Sequence, residues 1–225
     1  MEQNKSTLER REVSGFDKLL FKAVGQIELS QGPLESLSIE GQSDLRDRII
    51  TQVIDRTLVI SSQNDWYEML GISLHGPESL RFHLCMPRIT ALTITGMGQL
   101  TSMILNAQDL SLSLAGPGSM RLAELTTQKL AVNIAGVGSI QVSGKTDSQT
   151  VHISGAGCYR SSSLESQRSL IDLSGVGNAS IYARQFLDVA ISGAGDIEYR
   201  GHPQVTRKIS GLGMLKYIED GNYSN

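Results

Sequence analysis

His152 and Asp172 stand twenty residues apart in a chain that repeats itself at about that interval, and Ser154 follows two residues after the histidine. A hydroxyl, an imidazole and a carboxylate on one face are the ingredients of nucleophilic catalysis. That chemistry also needs donors aimed at a developing oxyanion and a cleft for the substrate, and the surrounding residues imply neither. Cleavage of a polysaccharide would need two or three carboxyl groups converging on a groove. Asp172 stands alone in its column, as Glu198 does in another, while Asp196 shares a strand face with Glu198 and Asp188 falls in a return segment. His75, His83, His152 and His202 lack metal-ligand spacing, and the pair His83 and Cys85 has no third partner. No metal and no cofactor is expected.

The elements that must position these residues come from a seven-fold repeat. Gly-x-Gly occurs as Gly96-Met97-Gly98, Gly116-Pro117-Gly118, Gly136-Val137-Gly138, Gly155-Ala156-Gly157, Gly175-Val176-Gly177, Gly193-Ala194-Gly195 and Gly211-Leu212-Gly213, at steps of 20, 20, 19, 20, 18 and 18. Two residues before each first glycine stand Ile94, Leu114, Ile134, Ile153, Leu173, Ile191 and Ile209, all aliphatic. Four before it are Leu92, Leu112, Val132, Val151, Ile171, Val189 and Arg207. The residues between these columns, Asn133, His152 and Asp172 among them, are mostly polar, which is the alternation of a strand with one buried face.

After the corner the alternation resumes: Leu100, Met120, Ile140 and Tyr159 point one way, and Thr101, Arg121, Gln141 and Arg160 the other. Strand, Gly-x-Gly corner and second strand use about half of each repeat, leaving roughly ten residues to return and close a coil. The fold class predicted is all-β, a single-stranded parallel β-helix, or solenoid, of 18–20 residues per coil, wound right-handed as parallel crossovers are. A dinucleotide loop is excluded, because no copy has a third glycine followed by a helix. A calcium roll is excluded because only Gly195-Asp196 supplies the acid that every turn would need.

The rest of the chain divides around this array. Residues 1–12 read as a flexible leader, 13–217 as the solenoid and 218–225 as a polar tail. Within the solenoid, 92–217 are the regular coils, and 13–91 are diverged coils or a capping sheet interrupted by an insertion at 61–79. Leu19 and Phe21 lead into Ala23-Val24-Gly25 as into a corner. Leu37, Ile39, Gly41, Ser43 and Leu45 read as another pass, and Leu58, Ile60 and Ser62 as a third. The insertion carries Trp66 and Tyr67, which as an exposed aromatic pair could stack on a sugar or a partner and otherwise cover the barrel.

A net charge of −3 with scattered Lys and Arg gives no field for nucleic acid. No apolar run is long enough to span a bilayer as a helix. Cys85 and Cys158 are too few for a disulfide framework. Met1–Arg11 has no apolar signal core, which leaves either a cytoplasmic protein or one whose export signal has been removed.

The Gly-x-Gly array, the lead-in Val13-Ser14-Gly15-Phe16-Asp17-Lys18-Leu19 and the passage from Leu84 to Gly96 together resemble the bacterial putative autotransporter adhesin family with a head GIN domain. The resemblance covers Val13 to Tyr217. It implies a β-helix shaped like the pectin lyases without their catalytic residues, exported to the periplasm, outer membrane or cell surface, with adhesion as the role. It carries no assigned functional residues.

The leading expectation is therefore a non-enzymatic surface or periplasmic module. Its outer columns, Asn133, His152 and Asp172 on one face and Arg121, Gln141 and Arg160 on another, with Trp66 and Tyr67, would contact a surface glycan or a host or bacterial surface protein. The alternatives are a carbohydrate-active enzyme using Asp172 and His152, and a structural module that assembles as a homo-oligomer.

Overall fold

The computed structural model describes residues 7–63 and 79–219. The chain begins with β1 (Thr7–Arg11), β2 (Lys18–Lys22), β3 (Val24–Gln31), β4 (Ser36–Gly41), the one-turn α1 (Ser43–Arg46), β5 (Ile49–Ile54), β6 (Thr57–Ser62), β7 (Arg81–Met86) and β8 (Ala91–Ile94). Five long strands follow: β9 (Met97–Leu114), β10 (Pro117–Ile134), β11 (Val137–Ile153), β12 (Ala156–Leu173) and β13 (Val176–Ile191). The array closes with β14 (Ile197–Arg200), β15 (Gln204–Ile209) and β16 (Leu215–Tyr217). The sixteen strands of the described residues belong to one hydrogen-bonded sheet that coils on itself as a solenoid.

Each long strand is one coil. β9 through β13 pair in parallel with one another from corner to corner, so the ten or so residues that return to close each coil are themselves strand. The physical reason is that an unpaired return would strand its backbone donors and acceptors, whereas stacking equivalent segments satisfies them. Ile134, Ile153 and Leu173 lie in register, and each is fully buried. Both glycines of a corner are dictated by the coil beneath. A Cβ on Gly136 would collide with the Gly116 carbonyl oxygen, and one on Gly138, whose φ is +148°, with that of Gly118. A second bend, within the return, is pinned by hydroxyls. Thr127 Oγ1 donates within reach of the Gln108 and Lys129 carbonyls (3.0 and 3.2 Å), and Thr146 repeats this with Gln128 and Ser148.

The core is aliphatic along most of its length. Phe21 and Phe82 meet edge to face near the N-terminal end, 5.1 Å between centroids. Farther along sits a buried polar knot: the Tyr159 hydroxyl donates to Gln149 Oε1 (2.9 Å), and Gln149 Nε2 donates to Ser166 and Ser169 (3.1 and 3.0 Å). Burial pushes the Tyr159 phenol far above its ordinary range, with the Ser161 hydrogen bond pulling weakly the other way.

At the N-terminal end the order of layers departs from the order of the chain. β2 pairs with β6 on one side and β8 on the other, and β3 with β7 and β9. The coil made by β2–β3 is thus sandwiched between two coils that come later in sequence. Leu58 and Ile60 do form a coil, stacked on Leu19 and Phe21. Leu37 and Ile39 do not: β4 runs antiparallel to β7, and the stretch continues into α1, because a strand that ends the stack has no coil beyond it to follow. β5 likewise runs antiparallel to β6. Thr7–Arg11 pairs antiparallel with β4, so this part of the stretch read as a leader belongs to the cap. There Glu9 bridges Arg11 and Arg46 (3.1 and 3.3 Å).

Candidate functional site

Two outer faces flank the Gly-x-Gly corner. On the face before it, Asn133, His152 and Asp172 are register partners on β10, β11 and β12. His152 Nδ1 lies 3.6 Å from Asp172 Oδ2, and the two side chains are 53% and 44% exposed, so the pair is solvated and weak. Ser154 is exposed on the same side. The nearby corner amides are already committed: the Ser154 and Gly155 N–H groups both donate to the Ile134 carbonyl (3.0 Å each), and those of Ser174 and Gly175 to Ile153. A tetrahedral oxyanion would find no donor there.

On the face after the corner, Arg121, Gln141 and Arg160 are also register partners. The column continues as Ser180, Glu198 and Lys216. Beside it Cys158 pairs with Asn178 on the next coil. Asn178 and Asp196 then tie one coil to the next: the Asp196 N–H donates to Asn178 Oδ1, and the Met214 N–H to Asp196 Oδ1, each at 2.9 Å. These columns bound a shallow groove of about 360 Å³ with Arg160 and Glu198 among its charged walls and Asn178 and Ser180 on its floor. The structure thus keeps Arg160 in a concave site, adds Asn178, Ser180, Asp196 and Glu198 to it, and leaves Asn133, His152 and Asp172 on an open face. The signal for Ser180 and Glu198 was the Arg160 column itself, and for Asn178 and Asp196 the column two positions before it, which turns from Ser119 and Ser139 to Asn178 and Asp196 along the rod. Trp66 and Tyr67 lie outside the described residues.

Among the described residues no group of three or more His, Cys, Asp or Glu side chains could hold a metal ion. Cys85 and Cys158 are free and half-buried. No helix among the described residues is long and apolar enough to cross a membrane.

A coiled parallel sheet with a hydrophobic lumen and polar outer ladders defines the class: a β-solenoid that offers rigid, repetitive surfaces. The model of the family described as "Putative auto-transporter adhesin, head GIN domain" matches residues 15–203, and the chain belongs to that family. The fold is shared with a "putative adhesin" from Bacteroides fragilis NCTC 9343 (24% identity, TM-score 0.88, covering 96% of this chain and 98% of that one). It is shared too with a "putative adhesin" from Parabacteroides distasonis ATCC 8503 (18%, TM-score 0.74, 96% and 98%). A "putative lipid binding protein" from the same P. distasonis strain has it as well (20%, TM-score 0.70, 96% and 98%). A search of curated proteins finds no match.

Proposed function

We propose that the protein is a non-enzymatic binding module, exported to the periplasm or cell surface, that recognises a surface glycan or a surface protein through its outer ladders. The observation that carries this reading is the groove over Cys158, Arg160, Asn178, Ser180, Asp196 and Glu198. It sets a cation and carboxylates at opposite edges of amide and hydroxyl groups, on strands whose spacing is fixed at ~4.8 Å by backbone pairing. Such a surface matches a ligand rich in hydroxyls. The family description supports adhesion and a surface location. Arg121 and Gln141 extend the contact along the rod, and Asn133, His152 and Asp172 offer a second face across the corner.

The test is binding of the purified protein to a glycan array and to immobilised bacterial-surface and host-surface proteins. Replacing Arg160 and Glu198 together by Ala is expected to weaken the best binder about tenfold or more, since central polar anchors dominate such contacts. Binding unchanged both by that double variant and by Ala at Asn133, His152 and Asp172 would remove the outer ladders from consideration.

A further inference from the structure

The most irregular feature of the solenoid wall lies beside β9. The coil formed by β2–β3 has no return path of its own, since the chain leaves after Gln31 to build the cap. β9 is paired along one side by β10 from Gly98 to Leu114, with Met103 and Gln108 skipped in the register. On its other side β3 covers Met97–Ser102 and β8 covers Ser111–Leu114. Among the described residues, 103–110 therefore have no strand partner on this side, between the stretches of β9 that β3 and β8 cover. The chain segment that crosses this level, Pro87–Thr90, is four residues long and cuts the corner with Ile89 buried in the core. An open cleft of about 710 Å³, a larger volume than the groove described above, runs from that shortcut past the β9 edge at Asn106 and on across the outer columns of β10 and β11.

One side chain already shows what the cleft accepts. Gln31 Nε2 donates to the Asn106 carbonyl (2.9 Å) while the Asn106 N–H donates to Gln31 Oε1 (2.8 Å). That reciprocal pair of bonds is what the amides of a neighbouring strand would make. The same Nε2 reaches the Pro87 carbonyl (3.2 Å), so the Gln31 amide bridges the shortcut and the β9 edge at one end of the cleft. Next to it Met103 and Ile104 are 76% and 59% exposed, an apolar pair on a strand edge that proteins ordinarily cover or charge. Arg88 and Lys129 line the cleft with one acid, Asp109, leaving it an excess of positive charge.

We propose that this cleft is a strand-addition site for an extended peptide segment of a partner protein. The segment would carry an aliphatic side chain to cover Met103 and Ile104 and a carboxylate to meet Arg88 and Lys129. Its backbone takes over the missing return path, displacing the Gln31 amide from Asn106 and pairing within residues 103–110, between β3 and β8. A glycan lacks the alternating donors and acceptors that this edge requires. The site is separate from the groove around Arg160, so the two can fail independently.

The probe is a synthetic nine-residue peptide of alternating Val and Thr ending in Glu, with a scrambled Gly/Ser peptide of the same charge as control. Binding is expected to slow amide hydrogen exchange within residues 103–110. Gln31→Ala, which removes the competing amide, should bind tighter. Asn106→Pro, which removes the edge donor, and Ile104→Asp, an exposed change that leaves the core intact, should each bind about tenfold weaker or worse. The proposal fails if residues 103–110 gain no protection, if the control peptide binds equally, or if Ile104→Asp binds as the parent does. Protection of the same residues without peptide, together with a dimer in light scattering, would give the cleft to a second copy of this chain and overturn it as well.

Discussion

The two ends of this molecule solve the same problem in opposite ways. From β9 to β13 every coil repeats the one before it, with parallel pairing, aliphatic columns in register and a glycine corner above a glycine corner. Over β1–β7 the chain visits its layers out of order and ends the stack with the antiparallel strands β4, β1 and β5. The contrast teaches that propagating a parallel coil needs only local repetition, whereas stopping one needs a change of direction. An antiparallel strand can reverse through a short turn, as Asp55 and Arg56 do with positive φ between β5 and β6. The cap is tied by charge as well, with Glu9 bridging Arg11 and the buried Arg46.

The regular coils depend most heavily on their corners. Gly136→Val in the array should abolish soluble folded protein or cost more than about 4 kcal/mol, because the side chain meets backbone, which cannot rotate away. Gly15→Ala, at the entry to the first coil, should cost about 1–2 kcal/mol. That glycine has φ +80° but nothing within 4 Å of an added Cβ, so only its own backbone objects. Urea unfolding of both variants measures the difference, and equal losses would show that stacking between coils is not what selects the array glycines.

How much of this was legible in the sequence follows the same division. The columns from Leu92 to Ile209 could be read because each position answers only to its counterparts one coil away, at a fixed spacing. Even the coil of Leu19 and Phe21 was visible, although Ala23 stands where later corners have glycine. Leu37 and Ile39 misled, since alternation reports which face is buried and says nothing about whether the neighbour runs parallel. The sandwiching of β2–β3 between later coils left no mark, for the same reason that Gln31 drew no notice: its partner, Asn106, is 75 residues away. At the surface, register placed Asn133 beside His152 and Arg121 beside Gln141, but the shape that makes Arg160 part of a groove depends on side chains from three coils.

Inside the array, the fully buried Tyr159 places its hydroxyl in a polar knot within a lumen that is otherwise mostly apolar. Tyr159→Phe leaves Gln149 Oε1 without its 2.9 Å donor and should cost about 1–3 kcal/mol at neutral pH. Alkali adds a second signature. The folded state holds the phenol protonated by burying it, so its folded pKa lies above the unfolded value of about 10. That contribution is complete below pH ~10 and is lost as pH climbs beyond it, because only the unfolded chain gives up the proton. Urea midpoints at pH 7 and pH 11 should therefore converge in Tyr159→Phe relative to the parent, and identical pH slopes in the two proteins would contradict the buried phenol.

The smallest effect belongs to the pair that first drew notice for its chemistry. His152 and Asp172 sit 3.6 Å apart on the outside of the same coils, about half exposed. Water screens their attraction and the side chains must be ordered to make it, so Asp172→Asn should change stability by less than about 1 kcal/mol, a shift of a few degrees in the thermal midpoint. The outside of each coil is free to vary because the backbone ladder and the aliphatic columns beneath already fix its position. A loss as large as that of Tyr159→Phe would mean that the outer ladder helps hold the coils together, and the division between a structural inside and a recognition surface outside would no longer hold.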